Sequence, residues 1–171
     1  MIEKAKILSK ELHENQKRKF DGSPYFVHPE SVAQIVLENK KSKHINELVS
    51  AAYLHDAIED AGISFETLVK EFGYMVASIV LEVTNEHSLI KTYGKKYYMS
   101  NKVLTLTNYG LVIKLSDRLD NVSDLHLADY DFRKRYIDET NYILQVLEDF
   151  RDLTETQIKL VNKIKDKLSE R

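Results

Sequence analysis

A histidine and an aspartate stand side by side, His55-Asp56, directly after the apolar run Ala51-Ala52-Tyr53-Leu54, and Glu59 and Asp60 follow one turn later. Burying ionisable groups costs free energy unless they are paired or bound to a metal. The doublet therefore asks for a cation, and two further segments supply candidate ligands. One is Tyr25-Phe26-Val27-His28-Pro29; the other is Lys114-Leu115-Ser116-Asp117-Arg118-Leu119-Asp120-Asn121. Two imidazoles and two carboxylates make a mixed nitrogen/oxygen set, suited to Mn²⁺, Fe²⁺ or Zn²⁺ more than to Ca²⁺. A six-coordinate ion on four such ligands keeps two positions open for water and substrate, and its water becomes a nucleophile.

Spacing adds an outer layer. Glu59 lies four residues after His55 and Asp60 four after Asp56, so on a helix each pair shares a face. Either carboxylate can then serve as general base or as proton donor to a leaving group. At the end of a helix both would oppose its dipole, which favours a functional role over a capping one. Asn121 follows Asp117 by four and offers an amide donor without added negative charge. Each feature also has a plain alternative. His28 can be a turn histidine, Asp117 a salt-bridge partner of Arg118 or Lys114, and Lys17-Arg18-Lys19 a solvated helix end. The tyrosines 93, 97 and 98 can form a stacking wall for a base or half-buried packing. His13, His44, His87 and His126 read as structural or surface residues.

The elements that must position these groups read as helices nearly throughout, because the chain holds five glycines and two prolines, both prolines before residue 30. Ile2, Ala5, Leu8 and Leu12 give a helical period over residues 2–19. Asp21-Gly22-Ser23-Pro24 is a turn. Pro29 suits the first position of the next helix, leaving His28 just outside it in an extended conformation. A third helix spans about 45–58, Ser64 caps a fourth over 65–72, and Gly73 ends it. Residues 74–84 read as helix and 85–94 as loop. Helices follow over 95–107, 109–127, 130–151 and 154–168. The expectation is one all-α domain, residues 1–171, of about seven to nine helices.

The 171 residues suffice for one domain with a real core. With 25 basic and 27 acidic residues there is no basic excess to hold a nucleic acid. The absence of cysteine excludes disulfides, thiolate metal sites and a cysteine nucleophile, and fits a cytoplasmic protein. No apolar run approaches the ~20 residues that cross a membrane.

The ligand order His28, His55-Asp56, Asp117 resembles that of the HD metal-dependent phosphohydrolase superfamily. The surrounding residues are more specific: Gln16-Lys17-Arg18-Lys19, Gly22 to Pro29, Ala51-Ala52 with Leu54 to Asp60, Phe72-Gly73, Glu82-Val83-Thr84 and Lys114 to Asn121. Over about residues 3–127 they look like the hydrolase domain of RelA/SpoT proteins, and most like the small stand-alone SpoT-like hydrolases. That resemblance implies an HD-type helical fold and hydrolysis of the stringent-response alarmone (p)ppGpp at its 3′ position with Mn²⁺, releasing pyrophosphate and GDP or GTP. It implies His28, His55, Asp56 and Asp117 as metal ligands and Glu59-Asp60 as the catalytic acidic pair. It places Asn121 as a catalytic group near the ribose and 3′ phosphate, Arg18 on the base with Lys19 beside it, and Asp124 near the substrate one turn beyond Asn121. Other readings of the same residues are a metal-dependent phosphatase for NADPH or another phosphorylated nucleotide, and a catalytically silent nucleotide-binding module. The oligomeric state stays open.

Overall fold

The structure, a computed structural model, describes residues 1–170. Backbone packing separates two compact units, one covering Met1–Thr84 and the other the described residues from Asn85 on. Among the described residues there are eleven α-helices, one 3-10 helix and no strand. Two of the eleven are short, with five and seven residues, and the other nine have eight or more. The all-α expectation holds.

The first unit is built around α3 (Ile45–Tyr53), whose residues from Leu48 to Tyr53 are all buried. It packs against α1 (Ile2–Leu12), α2 (Val27–Asn39) and α6 (Tyr74–Val83). A helix touched on several sides has no solvated stripe, which is why this segment is apolar all round. Between α3 and α6 lie α4 (Ala57–Ala61) and α5 (Phe65–Phe72). The start of α5 is as expected: Ser64 Oγ accepts from Thr67 N–H at 3.1 Å, a cap worth about 1 kcal/mol.

In the first unit three boundaries differ from the sequence reading. Helix α1 stops at Leu12, and residues 13–26 form a loop with an isolated antiparallel bridge between Lys17 and Pro24. Lys17-Arg18-Lys19 is therefore not a helix end. Helix α2 opens at Val27, so His28 and Pro29 are both in its first turn. Proline is tolerated there because first-turn N–H groups have no intrahelical acceptor. The expected helix over 45–58 is two helices, since α3 ends at Tyr53 and α4 begins only at Ala57.

The second unit contains α7 (His87–Tyr93), α8 (Lys95–Thr105), α9 (Asn108–Ser123), a 3-10 turn (Leu125–Leu127), α10 (Tyr130–Phe150) and α11 (Glu155–Ser169). Helix α9 packs on α11, and α8 on α10. Side-chain caps start two of them, Thr107 for α9 and Asp129 for α10, and at the start of α11 Thr154 N–H donates to Gln157 Oε1 at 2.9 Å. The expected loop over 85–94 is helix α7. No helix among the described residues is long and apolar enough to cross a membrane.

Candidate metal centre

The break between α3 and α4 makes the centre. Where α3 ends, the last carbonyls lose their intrahelical partners. His55 uses one of them: its Nδ1 lies 2.8 Å from Ala52 O. A carbonyl only accepts, so Nδ1 carries the proton, and in the neutral ring Nε2 keeps its lone pair. This is how ligating histidines are usually fixed. Nε2 points to Asp56 Oδ2 at 3.1 Å. From the first turn of α2, His28 Nε2 faces the same oxygen at 3.8 Å. Both imidazoles are buried, at 2% and 1% exposure, and the two rings meet edge to face at 5.1 Å. One donor atom from each of His28, His55 and Asp56 lies within 4.8 Å of the others.

Those spacings fit a cation. Two donors each about 2.1 Å from one ion and at right angles are about 3 Å apart. The donor set, two neutral imidazoles and a carboxylate, matches the nitrogen/oxygen chemistry of first-row divalent metals. His28 and His55 with Asp56 could therefore hold a divalent ion. The start of α2 also disfavours a charged His28, because the helix N-terminus carries partial positive charge.

Asp56 has a further contact. Tyr25 Oη donates to its Oδ2 at 2.6 Å. Tyr25 had no assigned role in the sequence reading, although it stands three residues before His28; its contact depends on a partner 31 positions away. His13, read as structural, is 1% exposed and packs its ring 4.9 Å from that of Tyr25.

Glu59 and Asp60 fall in the first turn of α4. The expected conflict with a helix dipole is thus corrected: carboxylates at the start of a helix are favoured. The backbone still ties the pair to the doublet, since Asp60 N–H donates to Asp56 O at 2.9 Å. Partial desolvation, then the charges of Asp56 and Glu59, holds the Asp60 carboxyl above the ordinary carboxylate range, while His13 and His55 act the other way. Its residue surface remains largely open to water, which limits the effect.

In the second unit Asp117 stands on α9. Lys114 Nζ is 3.6 Å from its Oδ2, and Asn121 Nδ2 donates to its Oδ1 at 2.6 Å. The amide expected on a substrate oxygen thus already holds Asp117. Arg118 is turned elsewhere, to Glu139 at 2.9 Å and over the Tyr136 ring at 4.6 Å. Asp124 is the residue at which α9 ends. Of the three tyrosines, Tyr98 is buried and accepts from Glu86 N–H at 2.8 Å, while Tyr93 and Tyr97 are exposed. In the first unit Arg18 N–H donates to Ser23 O at 2.8 Å, and Lys19 Nζ lies 5.7 Å from the Phe20 ring centre.

Comparisons with known proteins give the family and the fold. An HD domain matches residues 5–149. The chain belongs to the HD domain family. It is 34% identical over 126 residues to a Xenopus tropicalis guanosine-3′,5′-bis(diphosphate) 3′-pyrophosphohydrolase MESH1, covering 73% of this chain and 69% of that one. It is 36% identical over 142 residues to an Aquifex aeolicus guanosine-3′,5′-bis(diphosphate) 3′-pyrophosphohydrolase. The latter match takes in 81% of this chain but spans only 20% of the Aquifex protein. A solved structure described as a metazoan ortholog of SpoT that hydrolyses ppGpp superposes with TM-score 0.81 at 27% identity, covering 96% of this chain and 94% of the other. The HD-type helical fold expected from the sequence is thus shared.

Proposed function

We propose that this HD-family chain is a guanosine-3′,5′-bis(diphosphate) 3′-pyrophosphohydrolase, converting ppGpp to GDP and pppGpp to GTP with release of pyrophosphate. The observation that carries the reading is the His28–His55–Asp56 cluster, with donor atoms within 4.8 Å of one another and the tautomer of His55 preset. The relatives' activity supplies the substrate class.

We assign the fourth ligand to Asp117, on the order of motifs in the sequence, and take Mn²⁺ as the native ion. When bound, a divalent ion supplies charge neutralisation at a phosphoryl group and acidifies water. The chain's own residues do the rest. His28 and His55 present nitrogen lone pairs to the ion. Asp60, whose carboxyl binds its proton more tightly than usual, is the proton donor to the leaving oxygen, and Glu59 is the general base. Asn121 positions Asp117 through the bond to its Oδ1 and has a second N–H for a ribose or phosphate oxygen. Arg18 stacks its planar guanidinium on the guanine with Lys19 beside it, and Asp124 contributes to the same substrate site. A phosphorylated nucleotide of this kind is an intracellular metabolite, so we place the activity in the cytoplasm.

The test is incubation of metal-stripped protein with ppGpp and added Mn²⁺, with pyrophosphate and orthophosphate assayed separately. Pyrophosphate and GDP are expected. Orthophosphate, from ppGpp or from NADPH, would move the assignment to a phosphatase. Tight nucleotide binding with no product would move it to a binding module.

A further inference from the structure

The loop between α1 and α2 carries a support for the metal cluster. Its backbone doubles back: Arg18 N–H donates to Ser23 O at 2.8 Å and Tyr25 N–H to Gln16 O at 2.9 Å, either side of the Lys17–Pro24 bridge. Gly22, at φ +70°, makes the reversal where a side chain would be strained. The ladder sets Gln16 beside Tyr25. Gln16 Oε1 lies 2.8 Å from His13 Nδ1, and the His13 ring lies 4.9 Å from the Tyr25 ring, tilted by 45°. On its other side Tyr25 meets the edge of His28 at 5.6 Å. A clamped ring thus delivers one hydroxyl to Asp56 Oδ2 at 2.6 Å.

That oxygen is the one both imidazole nitrogens face, at 3.1 and 3.8 Å. A carboxylate oxygen has two lone-pair directions. Tyr25 occupies one of them on the very oxygen that faces His28 and His55. We propose that Tyr25 is a positioning residue for Asp56, fixing the rotation of its carboxylate so that Oδ2 is aimed into the cluster, and that His13, tied by Gln16, holds the Tyr25 ring in place. The proposal rests on the cluster being a metal centre, as the proposed function requires.

Fold stability alone does not call for histidine at position 13. His13 is 1% exposed, and its Nε2 is buried with no hydrogen-bond partner among the described residues. An unpaired buried polar atom destabilises the fold, a cost that phenylalanine would avoid while keeping the ring contact. What histidine adds is the bond from Nδ1 to Gln16, which fixes the plane of the ring against Tyr25.

The experiment is calorimetric titration of metal-free protein with Mn²⁺ in wild type, Tyr25→Phe and His13→Phe. Thermal unfolding of each metal-free protein and the Mn²⁺ dependence of turnover accompany it. Tyr25→Phe keeps the ring packing and loses only the hydroxyl. Removing a group that orients a metal ligand weakens metal binding by about 10–100-fold, so a loss of at least about tenfold is expected. The half-saturating Mn²⁺ concentration for turnover should move by the same factor, with cooperative unfolding retained. His13→Phe should weaken binding in the same direction by a smaller factor. Wild-type or tighter Mn²⁺ binding in Tyr25→Phe overturns the proposal and leaves the metal centre standing. If Tyr25→Phe does not fold, His13→Phe decides, and wild-type affinity there overturns it. Absence of Mn²⁺ binding in the wild type overturns the metal centre itself, and this inference with it.

Discussion

A cation that binds the folded chain and not the unfolded one must raise its melting temperature, and the size of the rise can be worked out. The donors of His28, His55 and Asp56 already lie within 4.8 Å of one another, and His55 and Asp56 are held by Ala52 O and Tyr25 Oη. Little rearrangement is needed, so the binding free energy appears nearly in full as stability. At a free Mn²⁺ concentration about 100 times the dissociation constant the gain is about 2.7 kcal/mol. For a chain of this size that corresponds to about 5–11 °C. Each further tenfold in Mn²⁺ adds about 1.4 kcal/mol, or about 3–6 °C. Asp56→Ala removes the anionic ligand. Should that weaken binding about a thousandfold, the same Mn²⁺ concentration contributes under about 0.1 kcal/mol and the shift disappears. The assay is differential scanning calorimetry of chelator-stripped protein over a Mn²⁺ series. A wild-type melting temperature indifferent to millimolar Mn²⁺ would refute the reasoning. So would a shift that survives undiminished in Asp56→Ala, because the ion would then be bound elsewhere.

Three further outcomes follow from named side chains. Glu59→Gln should keep the Mn²⁺-linked rise in melting temperature and lose turnover by about 10²–10⁴, the usual worth of a general base; turnover at the wild-type rate excludes that role. Asp60 binds its proton more tightly folded than unfolded, so its contribution to stability is full below the unfolded carboxylate pKa of about 3.9 and is lost as pH rises through the folded value. Metal-free Asp60→Asn should accordingly melt above wild type at pH 7, with the difference closing at about pH 3; a lower melting temperature at pH 7 contradicts the sign. Arg118 and Glu139 pair at 2.9 Å with side chains only 10% and 14% exposed, so Arg118→Ala strands a largely buried carboxylate and should cost about 3–5 kcal/mol in urea unfolding. An apolar replacement of both residues should recover most of that, and a loss below about 1 kcal/mol in Arg118→Ala would show the pair to be well solvated.

Much of the helical frame was readable because its signals are local. Ser64 and Gly73 bound α5 at both ends, and Val76, Ile79, Val80 and Val83 give α6 its buried face, although the same four residues also suit a strand. Helix α7 was missed because none of its residues is buried, so it carries no apolar period; its one signal was Gly94, at φ +83°, directly after Tyr93. The start of α2 was misjudged by two residues because Pro29 was given the first helical position and occupies the third. His28 was legible as a candidate ligand from its type and neighbours. The part played by Tyr25 was not, since hydroxyl and carboxylate meet only after α2 and α3 pack together.

The break after Tyr53 is the hardest feature to read and the one the proposed chemistry depends on. Ala51 to Ala61 contains no proline or glycine, and every residue in it is compatible with helix. Yet an unbroken helix would turn His55 and Asp56 about 100° apart, as any two consecutive helical residues are. It would also keep Ala52 O bonded within the helix, leaving His55 Nδ1 without that acceptor. Ending α3 early frees the carbonyl, the carbonyl fixes the imidazole, and the turn at residues 54–56 brings Nε2 to 3.1 Å from Oδ2. Restarting as α4 keeps Asp60 bonded to Asp56 O, so the four-residue relation inferred from a continuous helix survives at the point where that helix is interrupted. His55 and Asp56 meet because the helix stops there, and any substitution that let α3 run on through Asp56 would disperse the proposed donors without altering one of them.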